Sequence, residues 1–450
     1  MNEKANPENE PVLGYWWRPN NLDDKRAGLL RNVGGNIHEL EVLSDLKTFH
    51  FANASTMHGE AHGELYTLLH CSPVEAHGWL KDSDAGIEVT QAREVIRGSH
   101  LESPDELFES IAFTIEAGQS WSQISGIRQT RIQHENSPTQ DVLIERKSPN
   151  SIHLAANQFS VELRPIVDVP SSNWSAMLQE DTLFVITSNI PLSLGQWKDL
   201  ILVPLRGLIQ FATKYGGTSN RAAARPKDPK RRRIEDYGLD VRLPWTAEWM
   251  TQYPFTEIRS HAERPLFLAM SLVDHPDALS KWFELFTKRR EALTSVLDLS
   301  LGSPSVEFRF FAAARLFEQL ADRYSKSPVE THPYNHNGEA WNRLVRLLTY
   351  WQGHLEPLKS NPNIIPWAAR RVVKTRNCFA HHKETTCREA ANGHQLLCFE
   401  AFVRTLIDCE ICLALGLPQE MASQTLAASK QYRLGQDIVS YFIREQAEPE

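Results

Sequence analysis

The chain has 450 residues, of which 41% are hydrophobic and 23% charged, and its formal net charge is -8 at pH 7. This composition is that of an ordinary globular protein, and the length predicts two or three domains. Because the chain as a whole is negatively charged, the protein is not expected to bind polyanions through its overall charge. Any contact with nucleic acid therefore needs a local basic patch.

Residues 1–11 are polar, and no apolar run approaches the length of a membrane span. We therefore expect a cytoplasmic protein without membrane contact.

In that compartment the six cysteines are expected to be reduced. A zinc site can be drawn from five residues, but its spacing fits no finger or ribbon, so small buried thiols are the preferred interpretation. Those residues are Cys378, His381, His382, Cys387 and His394. Neither a cofactor nor a metal is expected, because there is no Walker A or HExxH motif and no GxGxxG after a strand.

From about residue 12 to residue 187 the chain alternates apolar and polar residues in short runs separated by Asn, Gly, Pro and Ser. This pattern indicates a mostly antiparallel β domain, either a sandwich or a barrel. The clearest runs are 37–42, 86–90, 141–145, 159–163 and 182–186. One helix is predicted over residues 194–214, with Ser193 at its start and a kink at Pro204. Trp16, Trp17 and Trp79 are interpreted as core residues.

Residues 214–233 are polar and basic. Two interpretations remain open: a solvated loop, or an arm that contacts RNA or another anion. Further strands are predicted from there to about Leu268. The first domain is therefore expected to span residues 1–268.

From Asp277 onward the apolar residues recur with the period of a helix. Helices are predicted over residues 279–301, 303–324, 338–355, 366–381 and 393–415, and after Pro418. Ser303, followed by Pro304, is expected to cap the second, and Gly416 to end the fifth. The predicted fold class is a multidomain α+β protein, in which the antiparallel β domain precedes an all-α helical bundle over residues 270–450.

The segment 376–381, Arg-Asn-Cys-Phe-Ala-His, combines the two groups that RNA cleavage without a metal requires. Arg376 offers a fixed cationic fork to a phosphate, and His381 can transfer a proton near neutral pH. On a helical wheel Arg376 lies in the middle of an apolar stripe, where a cation is costly unless it is paired or at an interface. The residues alone favour a simpler interpretation, in which Arg376 pairs with a buried carboxylate such as Glu318 and His381 is a surface histidine.

The segment 376–381 resembles the RxxxxH signature of HEPN domains, and residues 306–320 and 402–418 resemble the ApeA-type HEPN subgroup. The β-rich half resembles the ApeA N-terminal domain in architecture and order. This resemblance implies a HEPN-type bundle and a metal-independent endoribonuclease of bacterial anti-phage defence, an abortive-infection effector. It also implies a homodimer in which two RxxxxH motifs form one composite site, with RNA as substrate and tRNA as a candidate.

With this resemblance the catalytic interpretation is favoured. The 2′-OH of RNA would attack the adjacent phosphate and leave a 2′,3′-cyclic phosphate and a 5′-OH. His381 is the candidate acid or base, Arg376 the stabiliser of the phosphate charge, and Asn377 the residue that holds the phosphate or orients His381. Glu318 is predicted to orient Arg376.

Basic residues around the motif are predicted to contact the RNA backbone, with a solvated face as the alternative. They are Arg370, Arg371, Lys374, His382 and Lys383. His382 is also the rival of His381 for the catalytic role. On a regular helix Arg376 and His381 point about 140° apart. Either the helix ends near Phe379, or the arginine of one chain works with the histidine of a second.

Two functions from different classes follow. The first is the ribonuclease, with the β-rich half as a sensor of a phage-encoded trigger protein. The alternative is a non-catalytic dimer that binds RNA or senses phage.

Overall fold

The computed structural model forms two compact units, Met1–Arg206 with Gly217–Phe255, and Gly207–Gly216 with Thr256–Glu450. The residues that the structure describes are 11–34, 37–45, 54–78, 85–133, 140–147, 150–168, 179–214, 222–227, 265–299, 305–322, 338–356, 358–381, 387–420 and 430–447. Their order, antiparallel strands followed by helices, confirms the predicted α+β class.

The first unit contains an eight-stranded sheet in which every neighbouring pair is antiparallel. Its strands are β1 Val12–Trp17, β2 Arg26–Gly34, β3 Ile37–Asp45, β4 Thr56–Ala61, β5 Glu64–Leu69, β6 Ser72–Gly78, β7 Ala85–Ala92 and β8 Glu94–Arg97, in the order β6-β7-β3-β2-β1-β4-β5-β8. Trp16 is fully buried and lies opposite Gly59. A Cβ at Gly59 would lie 2.3 Å from the Trp16 ring, so only glycine fits against this indole. Trp16 and Trp17 are core residues, as predicted, whereas Trp79 lies outside the described residues.

A five-stranded antiparallel sheet follows in the same unit. Its strands are β9 Leu107–Thr114, β12 Ile152–Ala156, β13 Phe159–Asp168, β14 Gln179–Ser193 and β15 Ala222–Pro226, in the order β12-β13-β14-β9-β15. Strands β10 Ile127–Gln133 and β11 Gln140–Arg146 form a separate hairpin. All five of the clearest strand-like runs lie in strands, because alternation along one buried face is a strong signal in antiparallel sheets.

Strand β15 lies inside the segment that was predicted to be a basic loop. Ala222, Ala223 and Ala224 pair with β9, so the loop interpretation of 214–233 is wrong for residues 222–226. Small apolar residues fit the open edge of the sheet, and Arg225 points to solvent with a side chain 60% exposed. Residues 215–221 and 228–233 lie outside the described part of the chain.

Two short helices precede the boundary between the units: α1 Gly118–Ser122 and α2 Leu194–Trp197. Ser193 and Gln196 form a reciprocal capping box at the start of α2. A π-helical turn, Lys198–Leu202, then leads into α3 Val203–Thr213. Pro204 is the second residue of α3, just beyond that turn, which confirms the predicted interruption, since proline cannot donate the backbone hydrogen bond that a regular α-helix requires.

Among its described residues, the second unit is helical. Its helices are α4 Ala269–Asp274, α5 Ala278–Leu299, α6 Val306–Ala321, α7 Gly338–Trp351, α8 Ile364–His381, α9 Gly393–Leu415, α10 Lys430–Gln436 and α11 Ile438–Ala447. The predicted bounds of α9 are confirmed, and Gly416 ends it in the left-handed region with φ +81°. The predicted cap of α6 is wrong, because Ser305 accepts the capping hydrogen bond from the backbone N–H of Phe308. Ser303 and Pro304 lie outside the described residues.

After its first turn, helix α9 is largely buried on all faces and packs against α5, α6, α10 and α11. Burial on all faces leaves its acidic residues in the interior, where each requires a partner. Glu410 accepts from the Trp351 indole N–H at 2.5 Å, and Asp408 pairs with Lys214 at 2.5 Å. These contacts fix the orientation of α9 in the bundle.

The expectation that all cysteines are reduced is wrong for one pair. Cys378 and Cys387 form a disulfide with their Cα atoms 4.8 Å apart. The spacing of the two residues could not reveal this, because the pairing depends on how the chain returns after α8. Cys398, Cys409 and Cys412 are buried free thiols, as predicted, and burial raises the pKa of Cys412 to about 12.

Within the described residues, no helix combines the length and apolar character that a bilayer crossing needs.

Candidate active site

Helix α8 carries the RxxxxH motif at its C-terminal end. Its buried face consists of apolar residues, which pack the helix into the bundle: Ile364, Ile365, Ala368, Ala369, Val372 and Val373. Thr375 is also fully buried, and its hydroxyl accepts a hydrogen bond from the backbone N–H of Ala391 at 2.8 Å. The last turn of α8 is therefore anchored to the start of the next segment.

Arg376 leaves the apolar stripe toward Glu318 on α6. Its Nε donates to Glu318 Oε1 at 2.9 Å and its Nη2 to Oε2 at 2.6 Å, a bidentate pair. The two side chains are only 25% and 19% exposed. The predicted contact between Glu318 and Arg376 is confirmed, and it explains how a cation is accommodated on an apolar face.

Asn377 lies beside the guanidinium rather than beside the histidine. Arg376 Nη1 donates to Asn377 Oδ1 at 2.6 Å. Three of the five N–H donors of Arg376 are used by these contacts, which leaves two for a ligand. The arrangement can therefore present a pre-oriented cation to a phosphate while the ion pair with Glu318 is kept.

His381 is the last residue of α8 and is exposed. The helix is regular up to this residue, which rules out the idea that it ends near Phe379. Arg376 and His381 therefore point about 140° apart within one chain. One copy of α8 cannot aim both side chains at the same phosphate.

The basic residues upstream of the motif are paired within the chain. Arg370 Nε donates to Glu389 Oε2 at 2.9 Å, and Lys374 Nζ lies 3.9 Å from Glu389 Oε1. Arg371 donates to the backbone carbonyl of Glu389 at 2.6 Å and to Glu445 Oε2 at 2.5 Å. The hydrogen bond from Arg370 holds the pKa of Glu389 below its usual value.

These pairs fix three cations near the motif. Arg370, with a side chain 44% exposed, is the most accessible of them, whereas that of Arg371 is 19% exposed. RNA contact by Arg370, Arg371 and Lys374 stays a prediction. His382 and Lys383, also predicted to contact RNA, lie outside the described residues.

The disulfide lies inside the motif. Cys378, between Asn377 and Phe379, is buried and bonded to Cys387. The pair therefore does not offer thiolates to a metal, and the zinc group drawn from Cys378, His381, His382, Cys387 and His394 is not formed. The motif helix is instead linked covalently to the segment that holds Glu389.

The sequence named Arg376, His381 and Glu318 as candidates but did not identify Glu389 and Glu445 as the partners of Arg371. These two carboxylates lie 18 and 74 residues from Arg371, and only the packing of the bundle brings them together. The sequence indicated only that the basic residues of α8 have few acidic neighbours along the chain, and this does not reveal which distant carboxylates pair with them. Burial would raise the pKa of Glu445, yet hydrogen bonds from Arg371 and Trp367 lower it overall.

Comparison with protein families decides the identity of the β-rich unit. Residues 11–217 match the family model described as ApeA N-terminal domain 1. The β-rich unit is therefore similar to the ApeA N-terminal domain. The match supports an ApeA-type anti-phage defence protein and confirms the resemblance of the first half. It ends before the helices that carry Glu318 and Arg376. No curated protein and no solved structure matched the chain.

Proposed function

We propose that this ApeA-like protein is a metal-independent endoribonuclease, the effector of an abortive-infection response. It acts as a homodimer of HEPN-type bundles, with RNA as substrate and tRNA as a candidate. The β-rich unit, the part that matches the ApeA N-terminal domain, senses a phage-encoded trigger protein and controls the helical unit.

The observation that carries the proposal is the geometry of α8. Arg376 is held by Glu318 and Asn377 with two N–H donors remaining, and His381 is exposed one and a half turns further along a regular helix. Because the two side chains diverge within one chain, a phosphate that needs both groups must lie between two copies. A two-fold dimer brings Arg376 of one copy toward His381 of the other.

The chemistry requires only these groups and the RNA itself. His381 accepts the proton of the 2′-OH, whose oxygen then forms a bond to the adjacent phosphorus. Arg376 stabilises the additional negative charge on the phosphate oxygens. The bond from phosphorus to the 5′-oxygen breaks, and the protonated His381 or water supplies a proton to the leaving oxygen. The products are a 2′,3′-cyclic phosphate and a 5′-OH.

The experiment is to incubate purified full-length protein with end-labelled RNA in the presence of EDTA and to analyse the new ends. Cleavage that leaves 2′,3′-cyclic phosphates supports the proposal. Cleavage that leaves 5′-phosphates, or that requires an added divalent metal, contradicts it. Because the trigger is unknown, the protein is assayed both alone and after co-purification from phage-infected cells.

A second candidate function, a non-catalytic RNA-binding or phage-sensing dimer, is favoured by one observation. The pair between Arg376 and Glu318 joins α6 to α8 and stabilises the bundle whether or not RNA is cleaved. In that case the protein binds RNA or a phage protein in solution, and its Arg376 variants lose stability without any change in RNA integrity.

A further inference from the structure

Three metal-binding side chains meet at the N-terminal end of α9. His394 and Cys398 are four residues apart on this helix, so they lie on the same face. Asp437 approaches them from the residue directly before α11. One ligand atom of each residue lies within 4.8 Å of the other two. His394 and Asp437 are exposed, and Cys398 is buried.

The distances within this cluster fit a tetrahedral cation. His394 Nδ1 and Cys398 Sγ are 3.5 Å apart. Two ligands of a tetrahedral zinc ion, with Zn–S of about 2.3 Å and Zn–N of about 2.0 Å, are separated by about 3.5 Å. The exposed carboxylate of Asp437 lies close to the same centre, since its ligand atom is within 4.8 Å of the other two.

The mixture of donors selects the kind of metal. Mg²⁺ and Ca²⁺ take oxygen ligands almost alone, whereas a nitrogen, a sulfur and a carboxylate oxygen together are a zinc set. Three protein ligands leave a fourth position, which faces solvent here because two of the three residues are exposed.

We propose that His394, Cys398 and Asp437 form a Zn²⁺ site, with water as the fourth ligand. This departs from the expectation, drawn from the sequence, that the protein has no metal. When zinc binds, the Cys398 thiol loses its proton to solvent and the Zn–S bond forms. The Tyr441 hydroxyl, 2.8 Å from His394 Nδ1, moves away from that nitrogen.

The position of the site in the fold gives it a defined role. It joins α9 to the start of α11, and Glu445 on α11 accepts hydrogen bonds from Arg371 and Trp367 of the motif helix. A bound zinc ion therefore stabilises the helix that anchors α8 without contact with Arg376 or His381. This inference does not depend on ribonuclease activity.

Cobalt binding is the direct test, because a Co²⁺ ion bound to a thiolate gains a charge-transfer absorption band. Full-length protein is freed of metal with a chelator and titrated with Co²⁺, then with Zn²⁺. We expect one Co²⁺ per chain, a thiolate band, and its loss when zinc displaces cobalt. A spectrum without the thiolate band overturns the proposal.

Cysteine variants of the same helix localise the site. Cys398→Ala should lose the band and weaken zinc binding by more than about 100-fold. The loss of a direct ligand should exceed the loss of about 10- to 100-fold in metal affinity that follows when a residue hydrogen-bonded to a ligand is removed. Cys409→Ala, which removes another buried thiol of α9, should keep both. Asp437→Asn at its exposed position takes the place of Cys398→Ala if that variant fails to fold, as judged by circular dichroism. Unchanged zinc binding in the tested variant contradicts the assignment.

Discussion

Glu318 and Arg376 form a bidentate ion pair between α6 and α8, with N–O distances of 2.9 and 2.6 Å. The carboxylate fixes the plane of the guanidinium, and the two remaining N–H donors of Arg376 therefore have a defined direction. This pair has a structural role and a proposed catalytic role, and the two can be separated by experiment.

Glu318→Gln should lower the free energy of unfolding by about 1.5–3 kcal/mol, since it removes the charge from hydrogen bonds that are largely shielded from solvent. Denaturant unfolding measures this change. Glu284→Gln is the control, because the Glu284–Lys288 pair is 3.9 Å long and exposed, and should contribute little. If RNA cleavage persists unchanged in Glu318→Gln while stability falls, Glu318 is a structural partner only.

Much of the helical unit was predictable from the sequence. The apolar period placed α5, α8 and α9 within a few residues of their observed bounds, and Gly416 marked the end of α9 because it adopts a left-handed conformation. The Glu318–Arg376 pair was foreseen for a physical reason: a cation on an apolar stripe needs a partner, and α6 offered a carboxylate.

Other features depend on contacts that no local pattern encodes. The Cys378–Cys387 disulfide and the contacts of Arg371 with Glu389 and Glu445 require the folded bundle. The end of α3 is a similar case. The Gln210 amide donates to the Leu297 carbonyl at 2.6 Å, so residues 207–216 belong with the helices although the predicted boundary lay near residue 268.

Arg376→Ala and His381→Ala should each abolish RNA cleavage, His381→Ala by about 10²–10⁴-fold, as expected for the loss of a general acid or base. The folded structure should survive in His381→Ala because the ring is exposed. His382→Ala is the matched control and should change the rate little. If His382→Ala causes the larger loss, the catalytic histidine is His382. Rates on labelled RNA and circular dichroism of each variant provide the measurement.

A mixture of the two inactive variants tests whether the site is shared between copies. The composite site contains two Arg–His pairs, each with its arginine from one chain and its histidine from the other. In a dimer of one Arg376→Ala chain and one His381→Ala chain, one pair lacks both groups and the other is intact. Random pairing makes half of the dimers mixed, so activity should return to roughly a quarter of the wild-type value. A site contained within one chain gives no recovery. Size-exclusion chromatography with light scattering should show the dimer, and a strict monomer contradicts the model of a shared site.

Reduction of the Cys378–Cys387 disulfide should lower the free energy of unfolding by about 2–3 kcal/mol, because the bond closes a short loop. The measurement is thermal unfolding with and without dithiothreitol. Cys387→Ser should unfold at the lower temperature in both conditions, while wild-type protein should reach it only in dithiothreitol. If the wild-type curve is insensitive to the reductant, the disulfide does not form in the purified protein.

The hairpin of β10 and β11 is the place to test the sensor role of the β-rich unit. Leu143 and Ile144 lie on opposite faces of this two-stranded ribbon and are 46% and 49% exposed, although both are apolar. Because these side chains are half exposed, aspartate substitutions there cost little stability but would disrupt an apolar contact with a phage protein. The control is Gln129→Asp, since Gln129 is exposed and pairs with Ile144 in the same ribbon.

We expect Leu143→Asp and Ile144→Asp to lose protection against phage while toxicity on overexpression is kept, whereas His381→Ala should lose both. A trigger shifts the protein to its active state only if it binds that state more tightly. A variant that loses protection but keeps toxicity has therefore lost its response to the trigger and not its effector activity. Full protection by both aspartate variants would place the trigger contact outside this hairpin.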